Sequence, residues 1–460
     1  MTEMPRQLSL EEWDLRYRQL EQAGLNQPSY VGPLSRHLAD GDLRLARLRY
    51  DDSAAALRLW NFLLTEEDRL HAARRLGKRI VGTMKDLGTI PVMAYSLEGL
   101  VAFYPDGAWW TPCVMENSTG LLEVADSLGI DESFCPVRAM LGAFVTCEHF
   151  PIPDLLTCSV GATCDDFSAI AQRVEGLGHP ILWWEVPHRR CPGPSEDTMQ
   201  LPGGFLVPRD QVAFVESELR RVGRALEDLA GRSLDETRLR AGIARTNRIR
   251  QCLADLRDLA YTADPCPLPG LEMLIAEMLA IHFCSDQEEC LAVLEDLRAE
   301  VKARVTARVG AQGPDAVRVF WVNPVADLWV MNLLEECGAR VCGTDYLFAH
   351  ALDLIPEDRP AMEALAMQAL ADPMVGSAFD RASRIERDIA RFRSEAVVVC
   401  RIPGASHCAW EGRAIQEVLS QGMGIPVVEI EVPPVSDSVA ETLRTRLEAL
   451  VETARRRRPG

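Results

Sequence analysis

The sequence predicts an α/β protein: two doubly wound parallel-sheet lobes bridged by a helical layer, with an N-terminal helical extension. Three observations predict it. Short apolar runs beside turn residues alternate with helix-like stretches over residues 78–207, and the same texture returns over 313–460. Alternation of that kind marks a parallel sheet covered by helices. Between the two, residues 208–312 keep helical three-and-four spacing, and residues 1–77 also read as helical.

The elements follow in order. Ser9 and Glu12 form a capping-box pattern, and Leu10, Trp13, Tyr17 and Leu20 then share one helical face. A second helix is expected over 53–76, carrying Leu57, Leu59, Trp60, Leu63 and Leu64. Strands are expected at 79–82, 154–156 and 180–186, with helices over 136–144 and 165–177 between them. Val212, Val215, Leu219, Val222, Leu226 and Leu229 make the first helix of the middle layer, which Gly231 closes. Residues 310–314 read as a hinge or linker. Strands are then expected at 317–322, 339–341, 396–399 and 426–432, with helices over 326–337, 381–393, 411–421 and 435–454. Two lobes imply a cleft.

A formal net charge of −19 over 460 residues argues against a nucleic-acid surface. The one basic block, the arginines at 455–458, reads as a solvated tail. The polar, acidic start lacks the apolar run of a secretory signal. No apolar stretch reaches the ~20 residues that span a bilayer. The expectation is a cytoplasmic protein without a membrane partner, in which fourteen cysteines are thiols or metal ligands rather than disulfides.

No pair of cysteines has the CxxC spacing, which disfavours zinc ribbons, thioredoxin-like sites and ferredoxin-type clusters. Any metal site has to be assembled by the fold. Cys135 precedes Pro136 at a helix start, Cys164 lies between a strand and the helix opening at Asp165, and Cys408 follows the strand at 396–399 and opens a helix near Trp410. In open α/β sheets ligands bind beyond the carboxyl ends of the strands, where helix N-termini stabilise thiolates and anionic clusters. Cys147, Cys158 and Cys400 are further candidates. Cys252, Cys284, Cys337 and Cys342 read as small buried hydrophobes, while Cys113, Cys191, Cys266 and Cys290 offer only loop positions. His149, His188 and His407 read as surface or structural histidines, and Asp165 as a helix N-cap.

The stretch Phe134-Cys135-Pro136, running to Gly142, then Pro153-Asp154 and Thr163-Cys164-Asp165, resembles the first half of the 2-hydroxyacyl-CoA dehydratase and benzoyl-CoA reductase family. Pro187 after the Trp183-Trp184 strand resembles the family's proline at that place. The resemblance continues through 239–247, 269–272, 332–338, 365–372, 396–399, Cys408, 424–431 and 445–449. It covers roughly residues 75 to 455, and its specificity lies in the set.

The resemblance implies a D-component-like subunit whose Cys135, Cys164 and Cys408 hold a [4Fe-4S] cluster, with the acyl-CoA substrate at the iron that no protein group binds. It further implies a related sister subunit and an ATP-hydrolysing iron–sulfur activator in an oxygen-sensitive system. In the dehydratases, which are lyases, one electron converts the thioester carbonyl to a ketyl radical anion that expels the adjacent oxygen, and the electron is returned. In the benzoyl-CoA reductases, which are oxidoreductases, low-potential electrons and protons reach a stubborn acceptor. Two departures stand out. Met93 occupies a place where a carboxylate is usual, and residues 343–347 and 372–380 lack the additional cysteines of relatives with a double-cubane [8Fe-9S] cluster. Cys147 sits near another cysteine of that type, so the double cubane stays open. The competing readings are a double-cubane reductase of small molecules acting as a homodimer, a non-catalytic partner framing a sister subunit's active site, and a zinc site on Cys408, His407 and the other two thiols.

Overall fold

The apolar runs form two four-stranded parallel sheets in the computed structural model, which describes residues 5–25, 28–40, 44–86, 88–109, 120–147, 149–162, 164–282 and 285–458. The strands in chain order are β1 (Gln7–Leu8), β2 (Tyr50–Asp51), β3 (Arg79–Met84), β4 (Leu100–Phe103), β5 (Leu155–Gly161), β6 (Ile181–Val186), β7 (Thr198–Gln200), β8 (Leu206–Pro208), β9 (Val317–Val322), β10 (Ala339–Asp345), β11 (Ala396–Arg401) and β12 (Val427–Glu431). The sheets run β4-β3-β5-β6 and β10-β9-β11-β12, every pair parallel. Both lobes therefore have the same order, and in both the winding reverses between the first and third strands. That reversal opens a crevice at the strands' carboxyl ends. The central strands β9 and β11 are buried along nearly their whole length, as strands covered on both faces must be.

The sequence-based expectations miss β4, which follows a helix of only six residues, Ile90–Tyr95, too short to show a period. They also cut β5 and β10 short, because Thr157, Ser159, Gly343 and Thr344 interrupt the apolar runs while remaining inside buried strands. The helix expected over 53–76 is two, Ala54–Leu64 and Glu66–Arg75, parted at Thr65. Its hydroxyl donates back to the Asn61 carbonyl at 2.5 Å, a bond that competes with the helix ladder.

Four helices make the middle layer: Arg209–Ala230, Glu236–Thr262, Gly270–His282 and Gln287–Ala307. The first packs on β6 and on the second-lobe helix Ala361–Leu370, and the second packs on Ile90–Tyr95 and on β10, so the layer touches both lobes. Gly231, at φ +64°, ends the first of them. The N-terminal extension lies on the layer's far side, with Ala54–Leu64 against Gln287–Ala307 and Gly270–His282. It is not helical throughout, since β1 and β2 pair antiparallel. Buried Asp51 anchors it through two bonds from Arg304, at 2.6 and 2.9 Å.

Two further expectations are corrected. Residues 310–314 are not a free hinge: Ala311 N–H donates to the Cys266 carbonyl at 2.7 Å, and Gly310 lies tight against Pro265. Of the arginines at 455–458, the first three are exposed as expected of a solvated block, but they end a helix rather than form a tail. Arg458 clasps Glu395 at 2.7 and 2.8 Å and donates to the Asp315 and Ala316 carbonyls, so the terminal helix Ala440–Arg457 is tied to the second sheet.

Candidate functional site

The carboxyl ends of the two sheets face one another, and the three cysteine-bearing segments meet there. Cys164 follows β5 and caps the helix Asp165–Gly176; Cys408 follows β11 and is the third residue of the helix Ser406–Met423. The strands β5 and β11 are the third strand of their respective lobes, so the two cysteines hold equivalent places. Cys164 Sγ lies 3.9 Å from Ser406 Oγ. Asp166 fastens the approach, its carboxylate accepting from both Ser406 N–H and Ser406 Oγ at 3.0 Å. An acidic group there satisfies an otherwise orphaned N–H and suits the positive end of the helix dipole.

Cys135 stands half-buried before the 3-10 turn Pro136–Arg138. Its segment reaches the second lobe through Gly404. That residue adopts φ +77°, and a Cβ on it would lie 2.5 Å from the Phe134 carbonyl oxygen and 2.7 Å from that of Glu132. Only glycine permits both the backbone angle and the contact. Arg138 braces the turn from within, donating to the Phe134 carbonyl at 3.1 Å and pairing with Asp126 at 3.2 Å.

The side chains of residues 407–409, Cys408 and His407 among them, lie outside the described residues, as do Cys113 and Cys284. Among the described residues no three His, Cys, Asp or Glu side chains are grouped to hold a metal. Burial pushes the Cys164 thiol up to about 11, and nearby Asp166 adds to the shift, while the Phe167 and Asp166 N–H groups and Lys85 pull the other way. The helix start pulls toward the thiolate as expected, and burial of the sulfur opposes it. The capping expectation shifts by one residue: Cys164 is the N-cap and Asp165 the first helical residue.

Sequence reasoning missed a charged cluster beside these cysteines. Lys85 directly follows β3, is buried, and adopts φ +50°. Asn323, directly after β9, adopts φ +74° at the same place in the second lobe. The Lys85 ammonium crosses the cleft to Asp372 at 3.1 Å, and His350 Nε2 lies 3.9 Å from the same carboxylate oxygen. Burial works to raise the Asp372 pKa, but the Lys85 ammonium, helped by the Met374 N–H, holds it below the usual carboxylate value. Burial carries His350 down to about 4, so its ring is neutral. Burial raises neighbouring Asp86 to about 6 against four hydrogen bonds from Thr83, Thr89 and Ile90. The available signal was the Lys85-Asp86 dipeptide closing an apolar run. Arg381 does related work in the second lobe, joining Asn323, Asp345 and Glu411 at 2.6, 3.0 and 3.0 Å.

The remaining cysteines divide. Cys158 and Cys400 are buried within β5 and β11, and Cys147 is exposed at φ +57° after the helix Ala139–Thr146. Cys252 and Cys342 are buried and Cys337 half-buried, on or at the ends of regular elements. Cys290 is not in a loop but buried on the helix Gln287–Ala307. Met93 is wholly buried in Ile90–Tyr95, against the helix bearing Gly223.

The family model for 2-hydroxyglutaryl-CoA dehydratase, D-component, matches residues 96–454. The chain belongs to that family. The match begins after β3, Lys85 and Asp86, includes Cys135, Cys164 and Cys408, and makes the chain a dehydratase-type component. No curated protein matches it. Among the described residues, no helix of this D-component relative is long and apolar enough to cross a membrane.

Proposed function

We propose that the chain is the iron–sulfur subunit of an ATP-activated, radical-type 2-hydroxyacyl-CoA dehydratase in the cytoplasm, with Cys135, Cys164 and Cys408 as the ligands of one [4Fe-4S] cluster. The observation that carries the reading is the meeting of three cysteine-bearing segments at one cleft, through Gly404 against Phe134 and Ser406 against Cys164 and Asp166. The donor set fits the group: three sulfurs and no CxxC spacing suit a soft, thiolate-held cluster assembled by the fold, with one iron free of protein ligands. When bound, such a cluster supplies a low-potential electron beside the acyl thioester.

The protein groups have their own tasks. Lys85 supplies a fixed positive charge near Cys164, which favours an anionic cluster, and Asp372 holds that ammonium in place. The family's description as one component of a dehydratase supports a sister subunit, and the electron demand calls for a separate ATP-hydrolysing donor. A benzoyl-CoA-type reductase would use the same ligands, whereas a double-cubane reductase needs more iron.

Anaerobically purified protein should contain about four irons per chain. Replacing Cys135, Cys164 or Cys408 by serine should remove or degrade the cluster. Zinc alone, or about eight irons, would reject the single cluster, and Cys408→Ser with unchanged iron would reject the second lobe's part in it.

A further inference from the structure

We propose that the groove along the helix Ala378–Phe392, closed by the turn at Gly203 and Gly204, binds the phosphates of the nucleotide half of an acyl-CoA. The inference rests on the dehydratase reading and adds to it where the coenzyme lies. The groove offers about 290 Å³ of accessible space and is open to solvent. That takes a diphosphate group, whereas the narrow cavity between Lys85, Trp184 and His350 offers about 10 Å³, room for about one water-sized group.

Helical spacing builds the groove. Arg384, Arg387 and Arg391 follow one another at steps of three and four, so they share a face. Arg381 begins that face one turn earlier, buried against Asn323, Asp345 and Glu411 at the carboxyl ends of the second sheet. From Arg381 to Arg391 the helix rises ~15 Å, at ~1.5 Å per residue. One end of the arginine row thus lies beside the helix that carries Cys408, and the other reaches solvent. A substrate with its reacting thioester at the cleft and a charged tail outside would run in this direction.

The charge favours an anion. Four arginines, Arg257, Arg384, Arg387 and Arg391, line the groove against two aspartates, Asp353 and Asp388, on a chain whose net charge is −19. Two of these cations are committed: Arg257 to Glu277 at 2.6 Å, and Arg384 to Asp353 at 2.6 and 2.9 Å. Arg391 pairs with Asp258 where both are about half exposed, a contact worth little. Arg387 donates to the Gly203 carbonyl at 2.9 Å and has no carboxylate partner among the described residues. Fixed pairs therefore hold the walls while two planar guanidinium forks remain for phosphate oxygens.

The glycines bring the wall close. Gly203 and Gly204 have φ of +81° and +92°, and a Cβ on them would stand 3.1 Å from Arg384 Nη1 and 3.6 Å from Arg387 Nη1. Side chains here would crowd the guanidinium row and take up the space a phosphate needs.

Calorimetric titration of the anaerobic protein with free coenzyme A, ATP and inorganic pyrophosphate tests the assignment. Coenzyme A should bind, and Arg387→Glu or Arg391→Glu should each weaken it at least tenfold, with iron content and melting temperature unchanged. Arg238→Glu, at an exposed pair elsewhere, should leave the affinity alone. Unchanged affinity in both groove variants would overturn the groove and leave the dehydratase reading standing. Wild-type protein that binds no coenzyme A would bring down both. Displacement of coenzyme A by equal concentrations of ATP or pyrophosphate would overturn the coenzyme assignment.

Discussion

Gly404 shows how much of the site hangs on one missing methyl group. Alanine there would adopt a left-handed backbone and press its Cβ to 2.5 Å from the Phe134 oxygen. Strain and overpacking together should cost about 2–4 kcal/mol in urea unfolding. They should also part the Cys135 segment from the second lobe, seen as iron lost from anaerobic preparations. His350 offers a second test. Its pKa falls from 6.5 to about 4 on folding, so as pH drops below 6.5 the unfolded chain takes up the proton first. The stability His350 contributes is present above about 6.5 and is lost between there and about 4, amounting to roughly 3 kcal/mol. Buried Glu335, raised to about 7, titrates in the opposite sense, so the measurement is the difference between wild type and His350→Asn across that window. Neither residue was readable in the sequence. A glycine's neighbour from the other lobe leaves no local pattern, and a buried histidine looks like any other.

At the scale of elements, the sequence disclosed most of what positions the cysteines. The strand, loop and helix around Cys164 are legible because the apolar run, the turn residues and the helical period follow within about 25 residues. The start of the Cys408 helix was placed near Trp410 rather than at Ser406, since its first turn, Ser406-His407-Cys408, has no apolar periodicity. Asp166, which caps that turn from another lobe, was invisible for the same reason. The elements also sort ligands from bystanders. Cys252 is packed within Glu236–Thr262, so Cys252→Ser should keep the iron and cost about 1 kcal/mol in thermal or urea unfolding. Cys147 ends the helix Ala139–Thr146 and is exposed. With a single cluster, Cys147→Ser keeps the iron and the reduced cluster's paramagnetic signal, whereas with a double cubane it loses about half the iron.

The whole molecule is two lobes of identical strand order joined at their carboxyl ends. Across that junction Lys85 meets Asp372, while Arg189 bonds the Leu370 carbonyl at 2.8 Å and pairs with Asp380 at 3.3 Å. Lys85→Met would strand a buried carboxylate and should cost about 3–5 kcal/mol in urea unfolding. The double variant with Asp372→Leu should recover much of the loss. The two-lobed plan was legible because strand and helix textures recur in blocks. The pairing of the lobes was not, because it depends on single long-range contacts. The shared cleft also sets an order of events during synthesis. Under the proposed ligand set, two thiols belong to the first lobe and the third to the second, so a nascent chain presents an incomplete set until Cys408 of the second lobe has emerged. Metal would then wait for the second lobe, and its retention would report that the two lobes have closed on one another.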